Sequence, residues 1–267
     1  MIQSVSNVLA TVGGWLIFTA VACQGTLLGR RARGELVPVF NKVGTSSVGV
    51  IMLTGLFIGM VLAVQVYGQF ASMGLATWVG AVTNYSVLRE LGPVLAATML
   101  AGRVGSAMAA ELGTMRVTEQ IDALSCLGVN PVHYLVAPRL LACVLLIPLL
   151  TIIADMLGML GSALVCLGLY GLEPYHYWER TRQIVGMWDM MLGLLKSVAF
   201  GAAIALISCH RGFNCRAGAE GVGRAATEAF VLAFVAVLVL DFALGLLLNK
   251  FAATVWPNAA GMSFGPD

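Results

Sequence analysis

Charge is what this sequence most lacks. Of its 267 residues only 10% are Asp, Glu, Lys or Arg, and 59% are hydrophobic, with a mean hydropathy of +0.91. A soluble domain usually carries about 25% charged residues. A chain this apolar does not have the polar side chains needed to cover a water-soluble surface. The composition therefore predicts an all-α integral membrane protein.

Short motifs for catalysis or nucleotide binding are also missing. The sequence contains no Gly-x-x-x-x-Gly-Lys-Ser/Thr loop, no Gly-x-Ser-x-Gly elbow and no His-Glu-x-x-His pair. We therefore predict a chain with no catalytic residues and no cofactor, in which any ATP and Mg²⁺ would be bound by a separate ATPase chain. The net charge of +2 is too small to indicate nucleic acid as a partner.

The cysteines show no metal-site spacing. None of the six belongs to a Cys-x-x-Cys pair, and several lie in apolar runs. We interpret them as small buried hydrophobic residues and predict neither a metal site nor disulfides. They are Cys23, Cys126, Cys143, Cys166, Cys209 and Cys215.

Long apolar runs predict five membrane-spanning helices, because a helix needs about 20 apolar residues to cross a bilayer. Pro148 lies inside the third run and is expected to bend it. The five runs are Val48–Val66, Val94–Ala110, Leu140–Leu169, Met190–Ser208 and Phe230–Leu248. An earlier run, Val8–Leu28, is compatible with an interfacial or re-entrant helix or with a sixth span. No Lys or Arg precedes it, which argues against a signal peptide.

Basic loop residues predict the orientation. They cluster in 30–42, 116–139 and 211–224, and these segments alternate along the chain so that all three lie on one side, which is expected to be cytoplasmic. The loops Gly68–Ser86 and Gly171–Asp189 and the C-terminus would then lie on the opposite side.

A short amphipathic helix is predicted from Thr118 to Leu127. Thr118 is a candidate N-cap, and Gly128 and Pro131 form a helix-stop signal. With two to three turns the helix depends on packing for its stability. Its apolar positions are Val117, Ile121, Leu124 and Leu127, and its polar faces carry Glu119, Gln120, Asp122 and Ser125.

Four charged residues, Arg103, Asp155, Lys196 and Asp241, lie within apolar runs. An unpaired charge at the bilayer centre costs roughly 2.5 to 3.5 kcal/mol on insertion scales. We expect ion pairs between helices, such as Lys196 with Asp241 or Asp155. The alternative is a proton or ion pathway.

Small residues recur at helical spacing in two of the runs, first at Gly55, Gly59 and Ala63. The second row contains Gly102, Ser106 and Ala110 beside Gly105, Ala109 and Gly113. Such rows allow helices to approach closely in lipid. They fit packing within the chain and packing between copies equally well.

Several stretches closely resemble the MlaE/YrbE family of ABC-transporter permeases. The resemblance covers nearly everything after about Asn41. The matching stretches are LRELGPVL (Leu88–Leu95), AGRVGSAMAAELGTMRVTEQIDAL (Ala101–Leu124), VNP (Val129–Pro131), GLFIGMVL (Gly55–Leu62), LKSVAF (Leu195–Phe200), GVGRAAT (Gly221–Thr227) and LDF (Leu240–Phe242).

This resemblance implies a multi-pass permease in the inner membrane of a Gram-negative bacterium. The permease domain would extend over residues 1–267, with an interfacial helix and basic segment in 1–42, a transmembrane core in 43–267 and a periplasmic C-terminus. The resemblance implies a homodimer, a cytoplasmic MlaF-like ATPase dimer, a hexameric periplasmic MlaD-like MCE-domain protein and an MlaB-like STAS-domain protein. The implied cargo is glycerophospholipid, moved between inner and outer membranes to maintain outer-membrane lipid asymmetry.

The resemblance also implies roles for particular residues. The helix Thr118–Leu127 corresponds to the coupling helix that contacts the ATPase, and Glu119 is a candidate for a charge-assisted contact there. Its expected ATPase-facing residues are Thr118, Glu119, Gln120, Asp122 and Leu124. The expected lipid-binding residues are Leu62, Val64, Tyr67, Arg89 and Glu90.

Two other functions remain open from the residues alone. A secondary transporter would use the intramembrane charges and respond to an ion gradient, and a scaffold would anchor an MCE protein without transporting anything. A permease with a hydrophobic cargo other than phospholipid is a third possibility, because an Arg can meet any phosphate and apolar tails impose little selectivity.

Overall fold

The computed structural model describes residues 13–15, 17–26 and 33–255, and every regular element within these residues is helical. Five helical segments are long and apolar enough to cross a membrane. The predicted all-α membrane class and the five predicted spans are therefore confirmed. The segments are Val37–Ser72, Ala76–Val117, Val132–Leu169, Met187–Phe213 and Ala219–Leu248.

The α-helices are numbered from Arg33. They are α1 (Arg33–Val43), α2 (Thr45–Ser72), α3 (Val79–Ser86), α4 (Gly92–Leu100), α5 (Ser106–Val117), α6 (Gln120–Cys126), α7 (Ala137–Ala163), α8 (Pro174–Ile184), α9 (Met187–Phe213) and α10 (Ala219–Val255). A 3₁₀ turn covers Ala76–Trp78, and wide π-helical turns cover Val87–Leu91, Ala101–Gly105, Val132–Val136 and Leu164–Leu169. Helix α7 continues through Pro148.

Helical structure also precedes α1. Residues 13–15 and 17–26 of the first apolar run are helical, while the rest of Val8–Leu28 lies outside the described residues. The rings of Trp15 and Phe18 pack against the His210 ring, with centroid distances of 4.2 and 5.3 Å. An N-terminal helix is thus confirmed, and its interfacial position stays a prediction.

The two predicted outer loops are largely helical, so their description as loops was wrong. In Gly68–Ser86 the helix α2 continues to Ser72, and α3 begins at Val79. Val79 and Ala81 are fully buried, so packing stabilises a segment that hydropathy alone leaves ambiguous. In Gly171–Asp189, Pro174 occupies the first turn of α8, where its missing N–H costs nothing.

Two of the π-helical turns have a local cause in the sequence. Pro93 and Pro138 cannot donate to the carbonyl four residues earlier, and their rings would clash with it. In each case the preceding residue reaches five residues back instead: the Gly92 N–H bonds the Val87 carbonyl, and the Ala137 N–H bonds the Val132 carbonyl. The wide turn therefore precedes each proline.

The described residues divide into two compact units. The first contains the described parts of Met1–Ser47 together with Leu100–Leu146 and Phe200–Ala236. The described parts of all three basic loop segments belong to it. Its helices pack closely at glycines: a Cβ atom at Gly105 would lie 2.8 Å from Ser208 Oγ, and one at Gly212 would lie 2.9 Å from the Ala109 carbonyl oxygen.

The second unit contains Val48–Met99, Ile147–Ala199 and the described part of Val237–Asp267. Helices α2 and α7 meet here at glycines. A Cβ atom at Gly55 would lie 2.5 Å from the Ala154 carbonyl oxygen, and one at Gly59 would overlap the carbonyl of Gly158. The small-residue rows therefore serve packing within the chain at these positions.

The cysteines are all free, and the prediction that they are buried is confirmed for three of them and wrong for Cys23 and Cys126. Cys143, Cys166 and Cys209 are fully buried. Cys23 and Cys126 are exposed, because they lie on the outer faces of helical residues 17–26 and of α6.

Candidate functional site

The second unit contains a cluster of charged side chains around Lys196, which we call the Lys196 cluster. It consists of Arg89, Glu90, Asp189, Lys196 and Asp241. Lys196 is only 2% exposed, yet its Nζ lies 2.5 Å from Glu90 Oε2 and 3.0 Å from Asp241 Oδ1. The predicted pair of Lys196 with Asp241 is confirmed, and Glu90 is a second partner that the sequence did not reveal.

Arg89 forms the other half of the cluster. Its guanidinium lies 2.8 Å from Asp189 Oδ1 and donates to the Tyr85 hydroxyl. Tyr85 precedes Arg89 by four residues, a spacing that could have indicated the contact. Arg89 and Glu90 share the wide turn Val87–Leu91, and π-helical turns often occur at functional sites.

Asp155 does not pair with Lys196, so that alternative was wrong. It is 7% exposed, and within the described part of the chain its Oδ1 has no hydrogen-bond partner. That atom faces the backbone of α4, where a Cβ at Gly92 would overlap it. Gly92 therefore makes room for the Asp155 carboxyl group.

Three of the expected lipid-binding residues lie on α2 in the same unit. Tyr67 stacks on Tyr170, with ring centroids 3.6 Å apart and nearly parallel planes. Leu62 is half-buried and Val64 is exposed. Val64 thus offers free apolar surface, whereas the Tyr67 ring is already held on one face by Tyr170.

A buried hydrogen-bond network attaches α8 within the second unit. The Tyr177 hydroxyl donates to Ser162 Oγ over 3.1 Å and accepts from Asn84 Nδ2 over 3.0 Å. Asn84 Nδ2 also donates to Thr181 Oγ1. Burial raises the pKa of the Tyr177 hydroxyl, so it stays protonated and able to donate. This network, like α8 itself, was missed from the sequence.

The expected ATPase-facing helix begins later than predicted. It is α6, Gln120–Cys126, and Glu119 occupies its N-cap in the left-handed conformation with φ 61°. Thr118 as the N-cap was wrong: its hydroxyl donates to the Thr114 carbonyl, which extends the bonding of α5. The stop signal is confirmed, with Gly128 at φ 75°.

The side chains around α6 divide between packing and exposure. Ile121 is buried, and Asp122 pairs with Arg116 of α5 over 2.5 Å. Leu127 was expected on the packed face, but it is 78% exposed, because it follows the last helical residue. Glu119 and Gln120 are exposed, and Gln120 and Leu124 line a 370 Å³ groove with Leu127.

Arg103 lies within the second span, but it is not covered by neighbouring helices. Its side chain is exposed and lines a cavity of about 540 Å³ in the first unit. The same cavity contains Lys42, Glu111 and Arg139. Glu111 accepts from Lys42 at 3.1 Å and lies 3.5 Å from Arg139, an arrangement that connects α1, α5 and α7. The sequence showed Glu111 only as a charge in an apolar segment.

Within the described residues no group of three His, Cys, Asp or Glu side chains could hold a metal ion. The charged groups instead form ion pairs between helices. The arrangement is suited to binding polar groups beside apolar surface.

Comparison with known proteins places the chain in a family. The sequence model of the family described as Permease MlaE matches residues 36–247. A probable ABC transporter permease protein of Synechocystis is 41% identical over 222 residues, which cover 83% of this chain and 84% of that protein. The chloroplastic protein TRIGALACTOSYLDIACYLGLYCEROL 1 of Arabidopsis thaliana is 40% identical over 204 residues, which cover 76% of this chain and 58% of that protein.

A third relative is the intermembrane phospholipid transport system permease protein MlaE of Haemophilus influenzae. It is 36% identical over 232 residues, which cover 86% of this chain and 88% of that protein. The match to the family model includes all five spans except the final residue of the last. The chain belongs to the MlaE family of ABC-transporter permeases.

Proposed function

We propose that this chain is the inner-membrane permease subunit of an ABC transporter that moves glycerophospholipid between the inner and outer membranes of a Gram-negative bacterium. One observation carries the proposal: similarity over 86% of the chain to a protein named for intermembrane phospholipid transport. The subunit acts as a homodimer with its C-terminus in the periplasm. Its transport maintains the lipid asymmetry of the outer membrane.

The second unit supplies the chemistry for the lipid. Val64 and Leu62 provide apolar surface for acyl chains, and the Arg89 guanidinium can bind a phosphate through charge-assisted hydrogen bonds. Asp189 and Glu90 hold the two cations of the Lys196 cluster in position. The headgroup enters when its phosphate replaces the Asp189 carboxylate as the partner of the Arg89 guanidinium.

The first unit supplies the contact with the ATPase. Helix α6 presents the exposed Leu127 and the exposed polar residues Glu119 and Gln120. An ATPase with a matching groove would bury Leu127 and meet Glu119 with a basic side chain. An MCE-domain protein on the periplasmic side and a STAS-domain protein on the ATPase complete the assembly.

ATP binding and hydrolysis take place on the partner, and this chain contributes two cavity states. The lipid must bind these states with different affinities, because a ligand that binds both equally cannot be moved by switching between them. Movement of α6 by the ATPase provides the switch. The exposed apolar face of α10, which includes Phe234, Leu238 and Phe242, is available to lipid or to the second copy.

A gradient-driven transporter is the alternative that the charges left open. Lys196 and Asp241 form an ion pair, which is the arrangement expected of a structural role. An Asp241→Asn variant distinguishes the two. Transport driven by ATP in that variant, without any proton gradient, supports the ABC mechanism, and strict dependence on a gradient in the unmodified protein would contradict it.

The central experiment is purification of the chain from its native membrane, with identification of the proteins and lipids that accompany it. We expect an ATPase, an MCE-domain protein and phospholipid. Leu127→Asp should release the ATPase, whereas Met187→Asp should not, although Met187 is equally exposed at 82%. Arg89→Gln should lose phospholipid, whereas Arg182→Gln, at an exposed arginine of α8, should retain it.

Recovery of the chain without an ATPase would contradict the ABC assignment. Recovery of the ATPase with a sterol or another hydrophobic molecule in place of phospholipid would contradict the cargo alone.

A further inference from the structure

The cavity that contains Arg103 lies entirely in the first unit and is not used by the transport mechanism described above. It has a volume of about 540 Å³, within the range of small-molecule sites. Its walls come from α1, the first turn of α2, the wide turn Ala101–Gly105, α5 and the start of α7. Val39, Val104 and Met108 provide apolar surface, and Lys42, Arg103, Arg139 and Glu111 provide the charges.

The charges in this cavity do not balance. Lys42, Arg103 and Arg139 are positive at neutral pH and Glu111 is negative, which leaves an excess of two positive charges. Glu111 already serves both Lys42 and Arg139. The backbone carbonyl of Arg103 accepts from Ser106, but within the part of the chain that the structure describes the Arg103 guanidinium has no hydrogen bond or ion pair.

The two arginines differ in burial and in hydrogen bonding. Arg139 is 3% exposed and donates to the Leu135 carbonyl over 2.7 Å, so its position is determined by packing. Arg103 is exposed and free to reorient towards a ligand. A guanidinium held beside apolar side chains and facing an open cavity is a strong donor for phosphate oxygens, to which it can bond in bidentate fashion.

The position along the spans indicates where the ligand comes from. Glu111 lies six residues before Val117, the end of the second span, and Arg139 lies seven residues after Val132, the start of the third. At 1.5 Å per residue, both are about 10 Å from a span end. Lys42 lies five residues after the start of the first span at Val37. These depths correspond to the headgroup region and the adjoining acyl chains of a bilayer. Arg103 precedes Glu111 by eight residues and lies about 12 Å deeper, so the cavity extends from the headgroup region into the apolar part of the second span.

We propose that this cavity binds the phosphate headgroup of an anionic membrane phospholipid from the bilayer around the protein. Arg103 and Lys42 donate to the phosphate, and Val39, Val104 and Met108 contact the upper part of an acyl chain. The site is separate from the expected cargo-binding residues in the second unit. Its occupation does not depend on the cargo, so it can be tested even if the proposed transport function is wrong.

The test uses the full chain in nanodiscs of phosphatidylcholine containing a minor fraction of phosphatidylglycerol. Native mass spectrometry after release from the discs measures how much phosphatidylglycerol stays bound. Arg103→Gln should weaken retention about tenfold, as expected for loss of one hydrogen bond between charged groups. Arg216→Gln removes the same charge at an exposed position outside the cavity and should leave retention unchanged.

A second variant is expected to increase the amount of phosphatidylglycerol that stays bound. Glu111→Gln removes the carboxylate that competes with the phosphate for Lys42 and Arg139, so retention should increase. Glu220→Gln makes the same charge change at an exposed position outside the cavity and should have no effect. Thermal unfolding of each variant shows whether it is folded, and Arg103→Gln keeps the test decisive if Glu111→Gln unfolds.

Three results would overturn the proposal. If the unmodified chain and Arg103→Gln retain equal amounts of phosphatidylglycerol, Arg103 does not bind the lipid and the proposed site is wrong. If Arg103→Gln and Arg216→Gln lose equal amounts, the lipid is held by general electrostatic attraction and not by this cavity. The third concerns the source of the phosphate. If inorganic phosphate displaces phosphatidylglycerol as well as dihexanoyl phosphatidylglycerol does, at equal ionic strength, the acyl chain contributes nothing and the ligand is free phosphate.

Discussion

Lys196 shows how a single cation can be kept inside an apolar helix bundle. Its ammonium group is almost completely buried, and two carboxylates, from Glu90 and Asp241, compensate for the lost hydration. Neither carboxylate is fully buried: the side chain of Glu90 is 43% exposed and that of Asp241 is 23% exposed. The buried cation therefore depends on its partners more than they depend on it.

At this scale we predict that Lys196→Met destabilises the protein. Removal of one partner from a buried ion pair costs about 3 to 5 kcal/mol, and we expect the lower end because Glu90 remains accessible to water. Thermal unfolding in detergent, followed by intrinsic fluorescence, measures the loss. Lys42→Met is the control, since its exposed pair with Glu111 contributes only about 0 to 1 kcal/mol.

The double variant Lys196→Met with Asp241→Asn tests the mechanism of that loss. It leaves only one carboxylate without its cation, so it should unfold at a higher temperature than Lys196→Met alone. A double variant that is less stable than Lys196→Met alone would show that Asp241 stabilises the protein through contacts other than its pair with Lys196, and would contradict this mechanism.

At the scale of a single element, α8 is a short helix that depends on specific contacts. It has 11 residues, too few for an isolated helix to be stable in water. Tyr177 supplies the buried anchor through Asn84 and Ser162, and Gly80 leaves space for its ring, since a Cβ there would overlap the ring. The sequence between two spans thus becomes an ordered helix because one tyrosine is buried.

We predict that Tyr177→Phe loosens α8 without unfolding the spans. The substitution leaves the buried Asn84 and Ser162 side chains with fewer partners, at a cost of about 1 to 3 kcal/mol. Hydrogen–deuterium exchange should become faster for amides of residues 174–184 and stay unchanged in α7. Tyr175→Phe is the matched control, because Tyr175 is 69% exposed and its hydroxyl can bond water. Equal exchange rates in the unmodified protein and Tyr177→Phe would contradict the anchor.

At the scale of the whole molecule, the orientation of the five spans is a prediction from basic residues alone. The described parts of the basic loop segments lie in one of the two compact units, which agrees with a common side for them. Which side that is depends on the positive-inside rule. Exposed residues in each unit provide the means of testing it.

We predict that Cys126 faces the cytoplasm and that a cysteine introduced by Tyr175→Cys faces the periplasm. A membrane-impermeant maleimide added to intact spheroplasts, with the chain expressed without partner chains, should label position 175 and not Cys126. Permeabilised cells should show labelling at both. Peptide mass spectrometry separates these sites from the exposed Cys23. Labelling of Cys126 in intact spheroplasts would reverse the predicted orientation and the proposed side for the ATPase.

The sequence by itself determined the five clear spans and the family, and it limited the expected partners of Lys196 to Asp241 and Asp155. These depend on hydropathy, on short residue motifs and on the cost of an unpaired charge in lipid, all of which can be evaluated along the chain. It also indicated the stop at Gly128, because a left-handed backbone at a helix end favours glycine.

Only the tertiary structure decided which groups meet across distant segments. Glu90 reaches Lys196 over 106 positions, and Lys42 reaches Glu111 over 69, and no local pattern encodes either contact. The late start of α6 at Gln120, the exposure of Arg103 and the burial of Tyr177 likewise depend on neighbouring helices. Hydropathy measures the transfer of a segment into lipid, whereas these features depend on the packing of one helix against another, where side-chain shape and hydrogen-bond partners determine the free energy.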